Sequence, residues 1–387
     1  MTRARSFAVV ANGFADGPAQ ALRTYLVARG AHVIEVTHPL LPEDGTRHVV
    51  TTYRSGALLD RRAIRLALRP PSSYLLDPLV PLRVPKVDVW FGFNPLACAR
   101  GLIARAMRRT HTVVLWSVDF VPDRFGRGTV LTRVYDRLDR RCCLKADVRV
   151  ELSGEAREAR NRRHCLPPDR ASARVVPMGA WLDRTPTTDE EGYRARIVVF
   201  LAHLVRRQGP DILLDALATP TARAHGITAD IIGTGPLEVG LRGRASALGL
   251  DDVVRFHGFV PDHREVERIL ARGSVAVAPY RPGEETFTTY ADPGKLKAYL
   301  AAALPIVLTE VPPNASDLAA KAGAEIVPFD AHSIADAISR VLDSPETWRA
   351  RRNAARAYAE RFDWPLLFES FFADLGLEVA ADDRSQR

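Results

Sequence analysis

The chain has 387 residues, of which 47% are hydrophobic and 26% charged. These are the proportions of an ordinary globular protein, and the length suits two domains of about 100–200 residues each. The longest apolar stretch, near 298–308, is broken by Pro305 and falls short of the roughly 20 residues that span a bilayer. The N-terminal run Phe7–Ala11 is five residues long, against the 7–15 or so of a secretory core. The expectation is therefore a cytoplasmic protein, neither membrane-spanning nor exported.

Four cysteines, Cys98, Cys142, Cys143 and Cys165, are too few for a disulfide scaffold. Together with His164 three of them lack the usual C-x2–4-C zinc spacing, so reduced thiols and no metal are expected. Lys and Arg total 54 against 46 Asp and Glu, a net charge of +8. The charge is uneven: residues 1–185 hold 31 basic and 17 acidic residues, a net of +14, and the remainder carries −6. Arg105, Arg108, Arg109, Arg133, Arg137, Arg140 and Arg141 contribute to that excess. A basic half attracts anions, which suits an acidic acceptor or a phospholipid surface. Nearly all the cations are arginine, so composition alone supplies part of it. No nucleic-acid-binding signature accompanies the charge, so nucleic acid is not an expected partner.

In chain order, Phe7–Ala11 reads as a strand ending in Asn-Gly, followed by a helical pattern through Leu22, Tyr25 and Leu26 that Gly30 closes. His32–Val36 alternates like a strand. Residues 60–69 and 96–109 read as helices. Val87–Phe91, Thr112–Trp116 and Val148–Leu152 are further apolar strand candidates. The polar stretch 183–195 reads as a linker. The pattern then restarts. Ile197–Leu201, Ala229–Ile232, Val253–Phe256, Val275–Ala278 and Ile306–Thr309 read as strands. Asp211–Ala218, Leu237–Leu248 and Lys295–Ala303 read as helices between them. Residues 345–375 are helical, with a break near Asp363-Trp364-Pro365. Alternating strands and helices predict two doubly wound, Rossmann-like α/β domains: 1–185, 186–360, and a final segment 361–387 with a disordered tail. Ligands of such sheets bind beyond the carboxyl ends of the strands, and the two domains are expected to line a cleft.

Several stretches carry a resemblance. VVFLAHLVRRQGPDILLDAL, ADIIGTGPLEVGLRGRASALGLDDVVRFHGFV and ADPGKLKAYLAAALPIVLT, with LKADVRVELS and RVVPMGA before them, resemble glycosyltransferase family 4 of the GT-B fold over about residues 6–372. FDWPLLFESFF resembles that family's last helix, which crosses back to the first domain. The resemblance implies a retaining, metal-independent glycosyltransferase without a cofactor. Its co-substrate would be a nucleotide-diphosphate sugar, and its acceptor a glycolipid, a saccharide or a small natural product. A lipid-linked acceptor would bring peripheral contact with the inner membrane face. A non-catalytic sugar-nucleotide binder and an epimerase of the same fold are the alternatives.

Candidate residues follow from the chemistry of a diphosphate, which needs N–H donors and cations. Gly233 and Gly235 open a tight loop before a helix. Asp292, Gly294 and Lys295 begin another helix, Lys295 being the phosphate cation. Arg206 and Arg207 follow the strand Ile197–Leu201. The resemblance aligns the family's usual arginine and lysine with His203 and Gln208, and its two glutamates with Tyr290 and Ala298. Glu285 or Asp292 could reach the space of the first glutamate, and Glu284 or Glu285 could stand in for the second. In the first half, Gly13 and Gly17 lie in a loop resembling the family's first donor-contacting loop. Asp119 ends a strand, where a carboxylate can accept from an acceptor hydroxyl. Asn94 follows another strand and is the second acceptor candidate.

Overall fold

The computed structural model describes residues 5–13, 16–40, 44–65, 68–70, 72–75, 84–283 and 287–379. They divide into two compact units, 1–177 with 364–387, and 178–363.

The first unit is built on an eight-stranded sheet. Its strands are β1 (Ser6–Asn12), β2 (His32–His38), β3 (Arg47–Arg54), β4 (Ala57–Arg65), β5 (Val89–Gly92), β6 (Thr112–Ser117), β7 (Val148–Glu151) and β8 (Arg174–Val175). Their order is β4-β3-β2-β1-β5-β6-β7-β8. The run from β2 to β8 is parallel, whereas β3 and β4 form an antiparallel hairpin on β2. Helices Pro18–Ala28 and Pro95–Ala106 make the first crossovers. The buried β-branched and aromatic run of β1 is the reading its sequence demanded.

The predicted helix at 60–69 is a correction: Ala57–Arg65 is β4, and residues 66–67 lie outside the described residues. Ala, Leu and Arg favour a helix locally. The two-residue turn Ser55-Gly56, with φ of 47° and 82°, is instead the left-handed pair that suits a tight hairpin. Pairing with β3 then overrides propensity.

The last helix of this unit, Trp364–Asp374, buries Phe368, Phe371 and Phe372. Phe372 stacks on Tyr25 and meets Phe7 edge-on, while Phe371 packs against Trp116. The C-terminal segment thus completes the N-terminal unit's core. Residues 380–387, on which the expected tail falls, lie outside the described residues.

The second unit has six parallel strands: β9 (Ile197–Leu201), β10 (Thr228–Ile232), β11 (Val254–Gly258), β12 (Val275–Ala278), β13 (Ile306–Leu308) and β14 (Glu325–Ile326). The order β11-β10-β9-β12-β13-β14 is the dinucleotide-fold order, with its switch point between β9 and β12. The stretch 183–195 is part of this unit and not a free linker. Asp189 caps the short helix Glu190–Ala195, and Thr188 donates to the Gly273 carbonyl at 2.6 Å. The boundary falls at Pro177/Met178 because Met178 N–H already donates to Asp292 of the second unit at 2.8 Å. At the other end, Ala180 pairs with Asp363, one residue before the chain leaves.

Candidate functional site

At the switch point of the second unit, the loop after β9 runs through Ala202–Gly209 and the loop after β12 through Pro279–Gly283. Lys295 enters from the first turn of helix Gly294–Ala301. Its Nζ donates to Gln208 Oε1 at 2.7 Å and lies 4.2 Å from the ring centre of Tyr280 and 5.1 Å from that of Phe200. No carboxylate pairs with it among the described residues. Burial lowers the ammonium to about 7 from 10.5, because a low-dielectric surrounding disfavours the charged form. The aromatic faces return part of that loss. Tyr280 is buried and its hydroxyl has no hydrogen-bond partner among the described residues.

Gln208 belongs to the short turn Arg206–Gln208. Arg206 and His203 are exposed and Arg207 is half-buried. The Arg207 carbonyl accepts from Arg281 N–H at 3.0 Å, which ties the two loops together. Arg281, missed by the sequence reading, pairs with Asp211 and lies 4.5 Å from the Phe329 ring centre. Glu285 and Glu284 lie outside the described residues. Ala298 packs against the apolar cluster on the inner face of its helix.

Asp292 is an anchor. Its buried carboxylate accepts from Met178 N–H at 2.8 Å, Lys297 Nζ at 2.6 Å and Asn314 Nδ2 at 3.0 Å. Lys297 is itself buried and lies 4.1 Å from the Phe362 ring centre. Through these three partners Asp292 fixes the start of the Lys295 helix. Two residues on, a β-carbon on Gly294 would stand 2.9 Å from Met178 Cε.

Gly233 and Gly235 have a tight structural reason to be glycine. A β-carbon on Gly233 would stand 1.9 Å from the Ala202 carbonyl oxygen, and one on Gly235 2.6 Å from that of Leu204. Leu204 N–H donates to the Thr234 carbonyl at 2.9 Å, so the loops after β9 and β10 are zipped backbone to backbone. The φ of Gly233 is +126°, a conformation L-residues avoid. Gly233→Ala is expected to destabilise the unit by at least about 3 kcal/mol, read as a fall in the midpoint of urea unfolding.

In the first unit the corresponding switch point lies between β1 and β5. Asn12 Oδ1 accepts from Asn94 Nδ2 at 3.1 Å and from buried Arg100 at 3.4 Å. Asn94 Oδ1 caps helix Pro95–Ala106 by accepting from Ala97 N–H at 2.8 Å. Asn94 thus serves the loop frame as well as facing the strand ends. Gly13, with φ of +100°, donates to the His38 carbonyl, and Gly17 precedes helix Pro18–Ala28.

Asp119 follows β6 and pairs with Arg124 at 2.6 Å while remaining partly exposed. Beneath it lies a buried ionic cluster that the sequence did not announce. Arg160 contacts Asp139, Ser117 Oγ and Glu151, the last at 2.9 Å, and donates to the Asp119 carbonyl at 3.0 Å. The backbone carrying Asp119 is therefore held from below. His164 pairs with Asp139 at 2.9 Å, Cys142 donates to the Pro95 carbonyl and Cys165 is exposed. Cys143 Sγ lies 3.8 Å from the same Asp139, and no group of three His, Cys, Asp or Glu is placed to hold a metal among the described residues.

Two Rossmann-like units with the last helix returned to the first define the GT-B fold. Solved structures agree. Alr3699/HepE from Anabaena in complex with UDP-glucose matches with a TM-score of 0.70 at 16% identity, over 96% of this chain and 99% of that one. Sucrose-phosphate synthase from Thermosynechococcus elongatus matches at 0.66 and 17%, over 96% and 99%. WaaG, a glycosyltransferase involved in lipopolysaccharide biosynthesis, matches at 0.61 and 15%, over 95% and 98%. Residues 195–344, within the second unit, match the family described as Glycosyl transferases group 1. Alpha-D-kanosaminyltransferase from Streptomyces kanamyceticus is 26% identical over 251 residues, 60% of this chain. The match spans 62% of that relative's length. No helix among the described residues is long and apolar enough to cross a membrane.

Proposed function

We propose that the protein is a glycosyltransferase that moves a sugar from a nucleotide diphosphate to an acceptor hydroxyl, with retention and without a metal. The observation that carries this is Lys295, a cation at the switch point with a desolvated ammonium and no carboxylate partner among the described residues. A diphosphate supplies the missing counter-charge. The UDP and UDP-glucose complexes of the HepE structures make UDP-glucose the first donor to test.

In the reaction the bond between the anomeric carbon and the phosphate oxygen breaks, and one to the acceptor oxygen forms on the same face. The acceptor's proton passes to the departing phosphate. Positive charge grows at the anomeric carbon and negative charge on the leaving group. Lys295 and the N–H groups of its helix start meet that negative charge as it develops. Arg206, Arg207 and His203 line the entrance of the same loop. Asp119 orients the acceptor, and Glu285 is proposed as the carboxylate that meets the donor sugar. The acceptor is held by the basic first unit. The site is proposed to work in the cytoplasm, with lipid-linked, saccharide and small-molecule acceptors as the substrates to screen.

Calorimetric titration with UDP and UDP-glucose tests this. Because a bound diphosphate favours charged Lys295, binding at pH 7.5 should take up roughly three-quarters of a proton, seen by varying buffer ionisation enthalpy. Binding with no proton uptake, or none by either nucleotide, would overturn the assignment.

A further inference from the structure

The face of the first sheet that carries helix Pro18–Ala28 extends past that helix onto the β3–β4 hairpin and is left open there. A cavity of about 230 Å³ occupies the place, lined by Arg23, Glu35, Thr37, Thr51, Tyr53 and Arg61 among others. At about 30 Å³ per water, that is room for roughly eight waters, or one pyranose ring. The lining is unusual for a sheet face inside an α/β fold, which is normally apolar because a helix covers it. Glu35 pairs with Thr51 across the β2–β3 ladder and Thr37 pairs with Val49. These positions, with Tyr53 and Arg61, put polar groups on one surface.

The groups have defined roles. Arg23 reaches from the helix to Glu35 at 3.5 Å and lies 5.7 Å from the Tyr53 ring centre. Thr37 and Thr51 are buried and line the cavity. Glu35, only 15% exposed, is held above the usual carboxylate range by burial, against the pull of Arg23 and Arg61; nearby Asp16 raises it further. Asp16 stands just before the helix Pro18–Ala28. Arg61 is exposed at the rim. With Arg23 committed to Glu35, the cavity keeps one positive charge.

We infer that this cavity is a saccharide-binding subsite selecting a sugar ring that bears one carboxylate. Tyr53 and Leu58 supply an apolar wall for the ring. Glu35, Thr37 and Thr51 meet its hydroxyls, and Arg61 pairs with its carboxylate. The inference goes beyond the proposed transfer reaction and stands without it, since the test uses no donor.

Saturation-transfer NMR and titrations are made with glucuronate, glucose and glucosamine on the full chain. The expected order is glucuronate first, glucose weaker and glucosamine weakest, with at least a fivefold preference for glucuronate over glucose. Arg61→Gln should abolish that preference while leaving glucose binding in place. Thr51→Val should weaken both sugars at least threefold with the unfolding midpoint unchanged. Absence of binding by all three, glucosamine binding best, or an Arg61→Gln variant that keeps the preference would each overturn the subsite. UDP titration of the same samples tests the second unit separately.

Discussion

Replacing Lys295 by methionine is expected to lower turnover by about 10²–10³-fold while making the folded protein more stable. The two effects share one cause. A positioned cation that meets charge developing on the leaving phosphate contributes on the scale of one oxyanion-hole donor. The same ammonium is poorly solvated before substrate arrives. Its folded value of about 7 lies below the 10.5 of the free side chain. Between these values the unfolded chain holds a proton that the folded chain has lost, so stability rises with pH across that window. Below pH 7 both states are protonated and the penalty is complete. Its ceiling is about 5 kcal/mol at 1.36 kcal/mol per pH unit. Loss of the Gln208 bond and the Tyr280 and Phe200 contacts offsets part of it, leaving a net gain of about 2 kcal/mol. Thermal unfolding should therefore show Lys295→Met above the wild type at pH 7, the gap closing towards pH 10. A variant that is less stable at pH 7, or one with unchanged turnover, would show that Lys295 is a packing residue.

The fold was largely legible because most strands are buried on both faces, and such strands leave uninterrupted apolar runs. Phe7–Ala11, Ile197–Leu201 and Val275–Ala278 are of this kind, and each is a strand. The β4 strand was illegible for the opposite reason. It is an exposed edge, with Leu58 and Leu59 59% and 63% exposed, and nothing in its pattern distinguishes it from a helix face. Its signal was Ser55-Gly56, a turn dipeptide. The candidate site divides in the same way. The position of Lys295 at a helix start was readable from the Pro-Gly before it, while its packing against Tyr280 and Phe200 was not. The roles of Asp292, Gly233 and Asn94 were not, since an anchor, a close backbone approach and a cap are written with the same residues as a ligand contact. Only partners distant in sequence, such as Met178 and Ala202, separate the readings.

The largest stability effect should come from Arg160→Met. Arg160 is buried and holds two carboxylates, Asp139 and Glu151, that are equally buried. Burial works to raise Asp139, but Arg160 and His164 outweigh it and hold the group below its usual range. Burial raises Glu151, and Arg160 with Arg149 only partly opposes it. Removing the guanidinium leaves both carboxylates in low dielectric with far less compensation, at a cost of about 3–5 kcal/mol near neutral pH. The sign of the pH dependence follows. In the wild type, Asp139 stabilises above its unfolded value, and that contribution is lost only as pH falls through its lower folded value. In the variant both groups titrate above their unfolded values, so the folded state binds more protons and stability falls as pH rises. Denaturant unfolding should show the variant's deficit greatest near pH 8 and much reduced near pH 4.5. Adding Asp139→Asn and Glu151→Gln to Arg160→Met should recover part of the loss at pH 8, because the buried charges are then gone. Since Arg160 also donates to the Asp119 carbonyl, the triple variant should regain stability without regaining turnover. Full recovery of both would mean that the cluster supports the fold and has no part in positioning Asp119.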